Sequence, residues 1–513
     1  MYIRLIVTAV FVLYCIWRLT LWFGYKQLPI SGTVLAGDDL SIYGFGEKKQ
    51  LIMLDITNIG SVENIDASDK AYAQMSWSDI DNPIEWKDIG IELKGSGLSE
   101  RDKLNYDVEL WEAKDENITC NSPETCDDRK EKLFGFTEKY EDFVLRGSMT
   151  DPNFVRDVFP FQAEGSILES TLVELLIKNG DKYYYEGVYI LLTKIGRRVL
   201  EKRLEWEDNL GFEGKAEDCD DDDYDIEHTS LITEFTNSLA TRESKWPCPL
   251  FEEYSVKMRY PKCEDYDDAA WATCRDEYVQ RTTHFVSVLE DKNTTEVALD
   301  LDSFVNKYYF EQIWNKHDWA SEYAYVSPDS VLHAGPRWDY DDIMYWNTLP
   351  YDSFNLYYTV ARPYKLWIRL GTDEFFISKI KNSTDIITKN NNTFTNLVAE
   401  RRAQHQKLYF QRNDERWDVY NKRYLAIDPH FVSYGTSLEK DFIRQLNRTQ
   451  NKVYERTAWL SNNIENLKTF TYESVVWNYV VVILFLDILP IVLFIWFIVS
   501  YKEKSDYSKL GTV

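Results

Sequence analysis

The chain has 513 residues, of which 44% are hydrophobic and 15% aromatic. That is enough for one large core or two medium ones, and it argues against disorder. A formal charge of -27 repels nucleic acid and anionic lipid, so a nucleic-acid role is disfavoured. An anionic nucleotide would have to enter through a local basic site or on a metal.

In chain order, residues 1–4 precede an apolar run at 5–23 broken only by Arg18. No small-x-small cleavage pattern closes that run, so it reads as a transmembrane signal anchor rather than a cleaved leader. Residues 24–45 form a polar, glycine-bearing lead-in. Strand-like runs follow at 50–56, 71–77 and 89–93. The third enters Lys94-Gly95-Ser96-Gly97, with Lys103 close behind and another strand at 106–110. Strand, glycine turn and lysine is a way for backbone and ammonium to approach phosphates. By itself the pattern reads more simply as a hairpin turn. Asp151-Pro152-Asn153 marks a helix start, with a short helix expected over 154–161. Asn179-Gly180 between β-rich runs at 171–177 and 184–194 predicts a hairpin. The acid run at 217–227 lacks the glycine and glutamate positions of an EF-hand, and reads as a solvated loop.

Asp300 or Asp302 is placed to cap a helix running to Trp314, with Phe304, Val305, Tyr308, Tyr309 and Ile313 near helical spacing. Asp318 follows that helix. A hairpin over 323–326 and 331–333 then leads to Gly335-Pro336-Arg337-Trp338-Asp339-Tyr340-Asp341. One carboxylate that orients an acceptor hydroxyl, and others that hold a divalent metal, are what phosphoryl transfer requires. In so acidic a chain, the bland alternative is a surface loop. Within a helical pattern over 438–464, Leu446, Val453 and Leu460 recur as one buried stripe. Residues 475–501 are strongly apolar and long enough to span a bilayer. Lys502, Lys504 and Lys509 follow them, so the tail at 502–513 reads as cytoplasmic.

Five sequons, at Asn117, Asn293, Asn382, Asn391 and Asn447, mark candidate glycosylation sites. Six cysteines between the two apolar runs are disulfide candidates: Cys120, Cys126, Cys219, Cys248, Cys263 and Cys274. Cys120 with Cys126 makes a plausible short loop, and the other pairings stay open. The expected location is a secretory-pathway membrane or the cell surface, with the central part lumenal or extracellular and both termini cytoplasmic. No H-E-x-x-H, C-x-x-C or G-x-S-x-G sequence is present, which disfavours a zinc hydrolase or a serine hydrolase.

The residues over roughly 50–465 resemble the spore-coat protein H (CotH) family of atypical protein kinases. The phrases that carry the resemblance come in order. Ile89-Gly90-Ile91-Glu92-Leu93-Lys94-Gly95-Ser96 is followed by Lys103, then by Leu133-Phe134-Gly135-Phe136 and Asp151-Pro152-Asn153-Phe154-Val155-Arg156. Next come Val173 to Ile177, Asn179-Gly180 and Gly187-Val188-Tyr189-Ile190-Leu191-Leu192, and last Asp318-Trp319 and the Gly335 to Asp341 phrase. The resemblance implies an α+β kinase-like domain over 46–466, with a β-rich N-lobe clasping nucleotide against a helical C-lobe between the two transmembrane helices. It implies ATP with Mg²⁺ or Mn²⁺, and transfer of the γ-phosphate to Ser/Thr of a lumenal or extracellular protein. Asp318 would be the catalytic acid, Asp339 the main metal ligand, and Asp341 its support. Lys103 would pair with phosphate beneath the turn of Lys94, Gly95 and Ser96.

Three departures bear on activity. Lys94 stands where the family has arginine. Glu322 stands at a metal-binding asparagine position, where a carboxylate still suits a hard cation. Thr193 stands where a glutamate would pair with Lys103. The alternative is therefore a catalytically inactive relative that acts as an adhesin, a binding protein or a membrane-complex subunit.

Overall fold

The structure is a computed structural model. It describes residues 34–36, most of 50–199 apart from 95–102 and a few shorter gaps, 212–218, 254–260, 299–314, 323–327, 331–337, 374–404, 408–417 and 438–463. These fall in two compact units.

The first unit is built on a β-barrel. Its strands are β1 (Val34–Ala36), β2 (Leu51–Asp55), β3 (Ala71–Asp79), β4 (Asn82–Pro83), β5 (Lys87–Leu93), β6 (Tyr106–Ala113), β7 (Cys126–Asp128), β8 (Asp142–Arg146), β9 (Ser170–Asn179) and β10 (Lys182–Thr193). Seven of them close on themselves in the order β10-β8-β6-β5-β3-β2-β9, and β9 returns to β10. All these pairings are antiparallel except β2 with β9, which run parallel from Leu51↔Glu174 to Asp55↔Lys178. Strand alternation sends one residue set inward. Ile52, Leu54, Ile89, Ile91, Tyr106, Val108, Leu110, Phe143, Leu145, Leu175 and Tyr189 are all 0–1% exposed. The interior is thus a packed apolar core rather than an open lumen.

The expected two-lobed kinase-like fold is corrected by this topology. Its β-rich lobe was to be a sheet facing a cleft. Instead β9 bonds both β2 and β10, so the sheet closes on itself as a barrel with no free edge at that seam. The expectation of two membrane spans, a membrane partner, a secretory-membrane location and cytoplasmic termini is also corrected. Among the described residues no helix is long and apolar enough to cross a membrane. The runs 5–23 and 475–501 themselves lie outside the described residues.

Several local readings match the chain's behaviour. The hairpin β9–β10 turns at Asn179-Gly180, where Gly180 sits at φ +62°. The helix expected over 154–161 shrinks to a single turn, α1 (Phe159–Gln162). Phe154 lies at φ +56°, which no helix accepts. The Asp151 carboxylate closes a tight turn instead, accepting from the backbone N–H of Asp157 at 3.1 Å.

Outside the barrel wall, Cys120 and Cys126 form a disulfide that packs with Trp111. It closes a loop of separation 6, and such a short loop removes only modest entropy from the unfolded chain. The double variant Cys120→Ser/Cys126→Ser is expected to lose about 2 kcal/mol. Urea unfolding of the two proteins checks this.

The second unit holds a four-stranded sheet, β12-β11-β13-β14, made of β11 (Phe212–Asp218), β12 (Tyr254–Tyr260), β13 (Tyr323–Val326) and β14 (Leu332–Ala334). Its helix α2 (Leu301–Trp314) starts as expected, with Asp300 Oδ1 accepting from the N–H of Asp302 at 3.2 Å. Helix α3 (Glu374–Asn382) packs on α2 through an edge-to-face contact of Tyr308 and Phe376, and the Tyr309 hydroxyl donates to the Ile380 carbonyl at 2.7 Å.

Three more helices complete the described chain: α4 (Thr384–Gln404), α5 (Leu408–Trp417) and α6 (Leu438–Asn463). Leu446, Val453 and Leu460 of α6 are 0–1% exposed, so the stripe read from spacing is buried.

Candidate functional site

Among the described residues, a buried polar site lies in the first unit, on the wall of the barrel. Strand β10 is paired along one edge with β9 for nearly its whole length. Its other edge is shared. β1 takes Lys182 to Tyr184, and β8 takes Ile190 to Thr193. Between them, among the described residues, no strand pairs with Tyr185 to Tyr189 on that edge. Glu186 also lacks a partner on β9, because Tyr185 faces Leu176 while Gly187 faces Leu175. It is the extra residue of a β-bulge.

Buried backbone groups must find partners, and here side chains supply them. From α5, Arg416 Nε donates to the Tyr185 carbonyl at 3.1 Å and Trp417 Nε1 to the Glu186 carbonyl at 2.7 Å. Asn413 Oδ1 accepts from the Val188 N–H at 2.9 Å. Lys103 Nζ donates to the Val188 carbonyl, and to Asn413 Oδ1 at 3.0 Å. Helix α5 is further fixed by Arg412, whose Nη2 lies 2.5 Å from Glu174 Oε1.

Lys103 is 1% exposed. Its ammonium lies 4.5 Å from the Tyr189 ring centroid and 5.5 Å from that of Phe154. Burial holds its pKa well below the usual lysine value, against the pull of the Glu186 carboxylate. Glu186 is buried too, and burial raises its pKa to about 7 although Arg416 and Lys103 both draw it down. Arg416 Nη2 stands 3.4 Å from Glu186 Oε2.

Lys94 has a different setting. It lies on the outer face, where its Nζ is 3.0 Å from Asp107 Oδ2, and Lys194 Nζ meets the same oxygen at 2.9 Å. Burial works to raise the pKa of Asp107, but Lys94 and Lys194, with Lys70, outweigh it and hold the carboxyl below its ordinary value. Lys194 also reaches Asp142 at 3.6 Å. Thr193, at the family's glutamate position, is 0% exposed, and its Oγ1 accepts from the Glu169 N–H at 3.1 Å.

Of the site residues read from sequence, Lys94 and Lys103 are therefore placed, on the outer face and in the wall of one barrel. Gly95, Ser96, Asp318, Glu322, Asp339 and Asp341 lie outside the described residues. So do Asn293, Cys219, Cys248, Cys263 and Cys274. Arg337, which precedes Asp339, is held over the Phe310 ring at 4.5 Å and donates to Asn306 Oδ1 at 2.8 Å. Asn117 and Asn382 are exposed, Asn391 is half-buried in α4, and Asn447 in α6 is exposed but accepts from Arg402 at 2.5 Å. Among the described residues no group of three or more His, Cys, Asp or Glu is arranged to hold a metal ion.

Sequence reasoning missed Glu186, Asn413, Arg416 and Trp417. Only the lone acid in Tyr183-Tyr184-Tyr185-Glu186-Gly187 offered a hint, an acid beside a strand glycine that often marks a bulge. Compared with known families and curated proteins, the chain matches no family model and no curated relative.

Proposed function

We propose that this chain is a non-catalytic, protein-binding scaffold built on a closed β-barrel. The observation that carries this reading is the state of Lys103. Its ammonium is buried, bonded to Val188 and Asn413, and packed against two aromatic rings. A lysine that receives phosphate keeps donors free towards a cleft. Lys94, the other candidate, is paired with Asp107. The formal charge of -27 favours a basic partner protein, with binding that weakens as salt rises.

A second reading has one observation in its favour. Three phrases of the resemblance, carrying Lys103, Phe154 and Val188-Tyr189, meet around a single ammonium. On that reading the chain transfers phosphate from ATP to Ser/Thr of a protein, with Asp318 as the acid and Asp339, Asp341 and Glu322 holding Mg²⁺ or Mn²⁺.

Thermal unfolding of the full chain with ATP and either metal separates the two. The scaffold reading expects no shift and no transfer of labelled phosphate. Nucleotide at a hundred times its dissociation constant would stabilise by about 2.7 kcal/mol. An ATP-dependent rise of that size, lost in Asp339→Ala, would overturn the scaffold reading in favour of the enzyme.

A further inference from the structure

We propose that the barrel carries an internal hydration site beside Lys103, where ordered water joins the hydroxyls of Tyr106 and Tyr189 to the ammonium. This stands apart from either reading of function.

A set of buried oxygens without partners points to it. Tyr106 on β6 and Tyr189 on β10 are both 0% exposed. Neither hydroxyl has a hydrogen-bond partner among the described residues, so the two do not bond each other. Ser148 Oγ and Asn153 Oδ1 share that condition, in residues that are 6% and 2% exposed. All four residues gather around one lysine. The Lys103 ammonium stands over the Tyr189 ring, and the Tyr106 ring centroid lies 6.1 Å from that of Tyr189. Ser148 follows Gly147, where an added Cβ would lie 3.0 Å from Lys103 Cγ. Asn153 precedes Phe154, whose ring is the second one beside the ammonium.

Burying a hydroxyl with no partner weakens folding by on the order of tenfold or more, and a water that bonds it removes most of that loss. Lys103 has the same need. Its ammonium carries three N–H donors. The Val188 carbonyl and Asn413 take two, and no described residue takes the third. A buried water typically makes about three hydrogen bonds, and two hydroxyls with one ammonium donor supply them. The two hydroxyls face a shared region, because each phenol feels the Glu186 carboxylate and Tyr189 also feels Tyr106.

The donor set fixes the class of ligand. Hydroxyls donate and accept, the ammonium only donates, and Asn153 Oδ1 and the Glu186 carboxylate accept. The surrounding residues are 0–6% exposed. A mixed, enclosed set of this kind suits water rather than an ion or a larger solute. Water there also gives the lysine a role in the wall beside the unpaired stretch of β10, since it ties β6 and β10 to one ammonium.

Two measurements on the full chain test this. In urea unfolding, Tyr106→Phe and Tyr189→Phe should each weaken folding about five-fold, because each removes a hydroxyl that is bonded in the folded state. The double variant should lose less than the product of the two, since a shared water is lost once. Magnetic relaxation dispersion of the water oxygen should then count fewer long-lived waters in the double variant than in wild type. Protection from hydrogen exchange over 408–417 should stay at its wild-type level, which shows that α5 remains in place. Either single variant carries the urea comparison should the other fail to fold. Lys103→Met removes the third donor and carries the dispersion comparison, with the same loss expected, should the double variant fail. A phenylalanine variant as stable as wild type or more so is what stranded hydroxyls give, and it overturns the proposal. An unchanged count of long-lived waters overturns it too, because the hydroxyls would then bond protein directly.

Discussion

Lys103→Ala is expected to lower stability by about 4 kcal/mol, with or without nucleotide. Three losses add up. The truncation removes buried stem atoms from a site that is 1% exposed, leaving a hole between Tyr189 and Phe154. It leaves the Val188 carbonyl without its ammonium donor and frees Asn413 on one side. It also takes a positive charge away from buried Glu186. One term offsets these, since an ammonium that is costly to bury is no longer buried. Lys103→Met spares the first loss, because the stem packing stays, while the other two losses and the offset remain. It should cost only about 1–2 kcal/mol. Denaturant unfolding of the three proteins gives the comparison. A Lys103→Ala protein as stable as wild type would mean that the ammonium faces solvent, contrary to the barrel-wall placement.

Gly187→Ala is expected to cost about 3 kcal/mol or more. Gly187 has φ +113°, where a side chain is strained. A Cβ there would also lie 2.6 Å from Asn413 Oδ1 and 2.8 Å from Trp417 Nε1. Both neighbours are side chains of α5 that bond the backbone on either side of this glycine. Yielding to the methyl group therefore breaks the bonds that fill the gap. The measurement is again unfolding, and protection of 408–417 should fall with stability. Gly180→Ala is the control. It too has positive φ, but nothing lies within 4 Å of its added Cβ, so only the turn strain remains.

Much of the local structure was legible. Asn179-Gly180 announced the central hairpin because a two-residue turn with positive φ needs such residues. Asp300 announced α2 because its carboxylate caps the helix. The run at 106–110 announced β6, which the structure extends over Tyr106–Ala113. The closure of the barrel was not legible. Alternation tells which face is buried but not which strand lies next to it, and β2 with β9 is a long-range parallel pair.

The site failed to show for a related reason. Lys103 beside a glycine turn reads as an exposed cation. Its burial depends on Asn413, 310 positions away. Glu186 reads as one more surface acid in a chain of net charge -27, and only the bulge and α5 turn it inward. The short helix expected after Asp151 was overridden by the turn that the same aspartate closes on Asp157.

The parallel seam between β2 and β9 also sets the order in which the molecule can be made. Asp55 meets Lys178 across 123 positions of chain, so the first wall strand has no permanent neighbour on one side until the hairpin has been synthesised. Contacts between such distant partners form slowly, since the entropy of closing the loop comes before any reward. The nascent protein therefore spends its early life as an open, curled sheet with two sticky edges, and finishing the ring is the step that protects it from joining itself to a second unfinished copy.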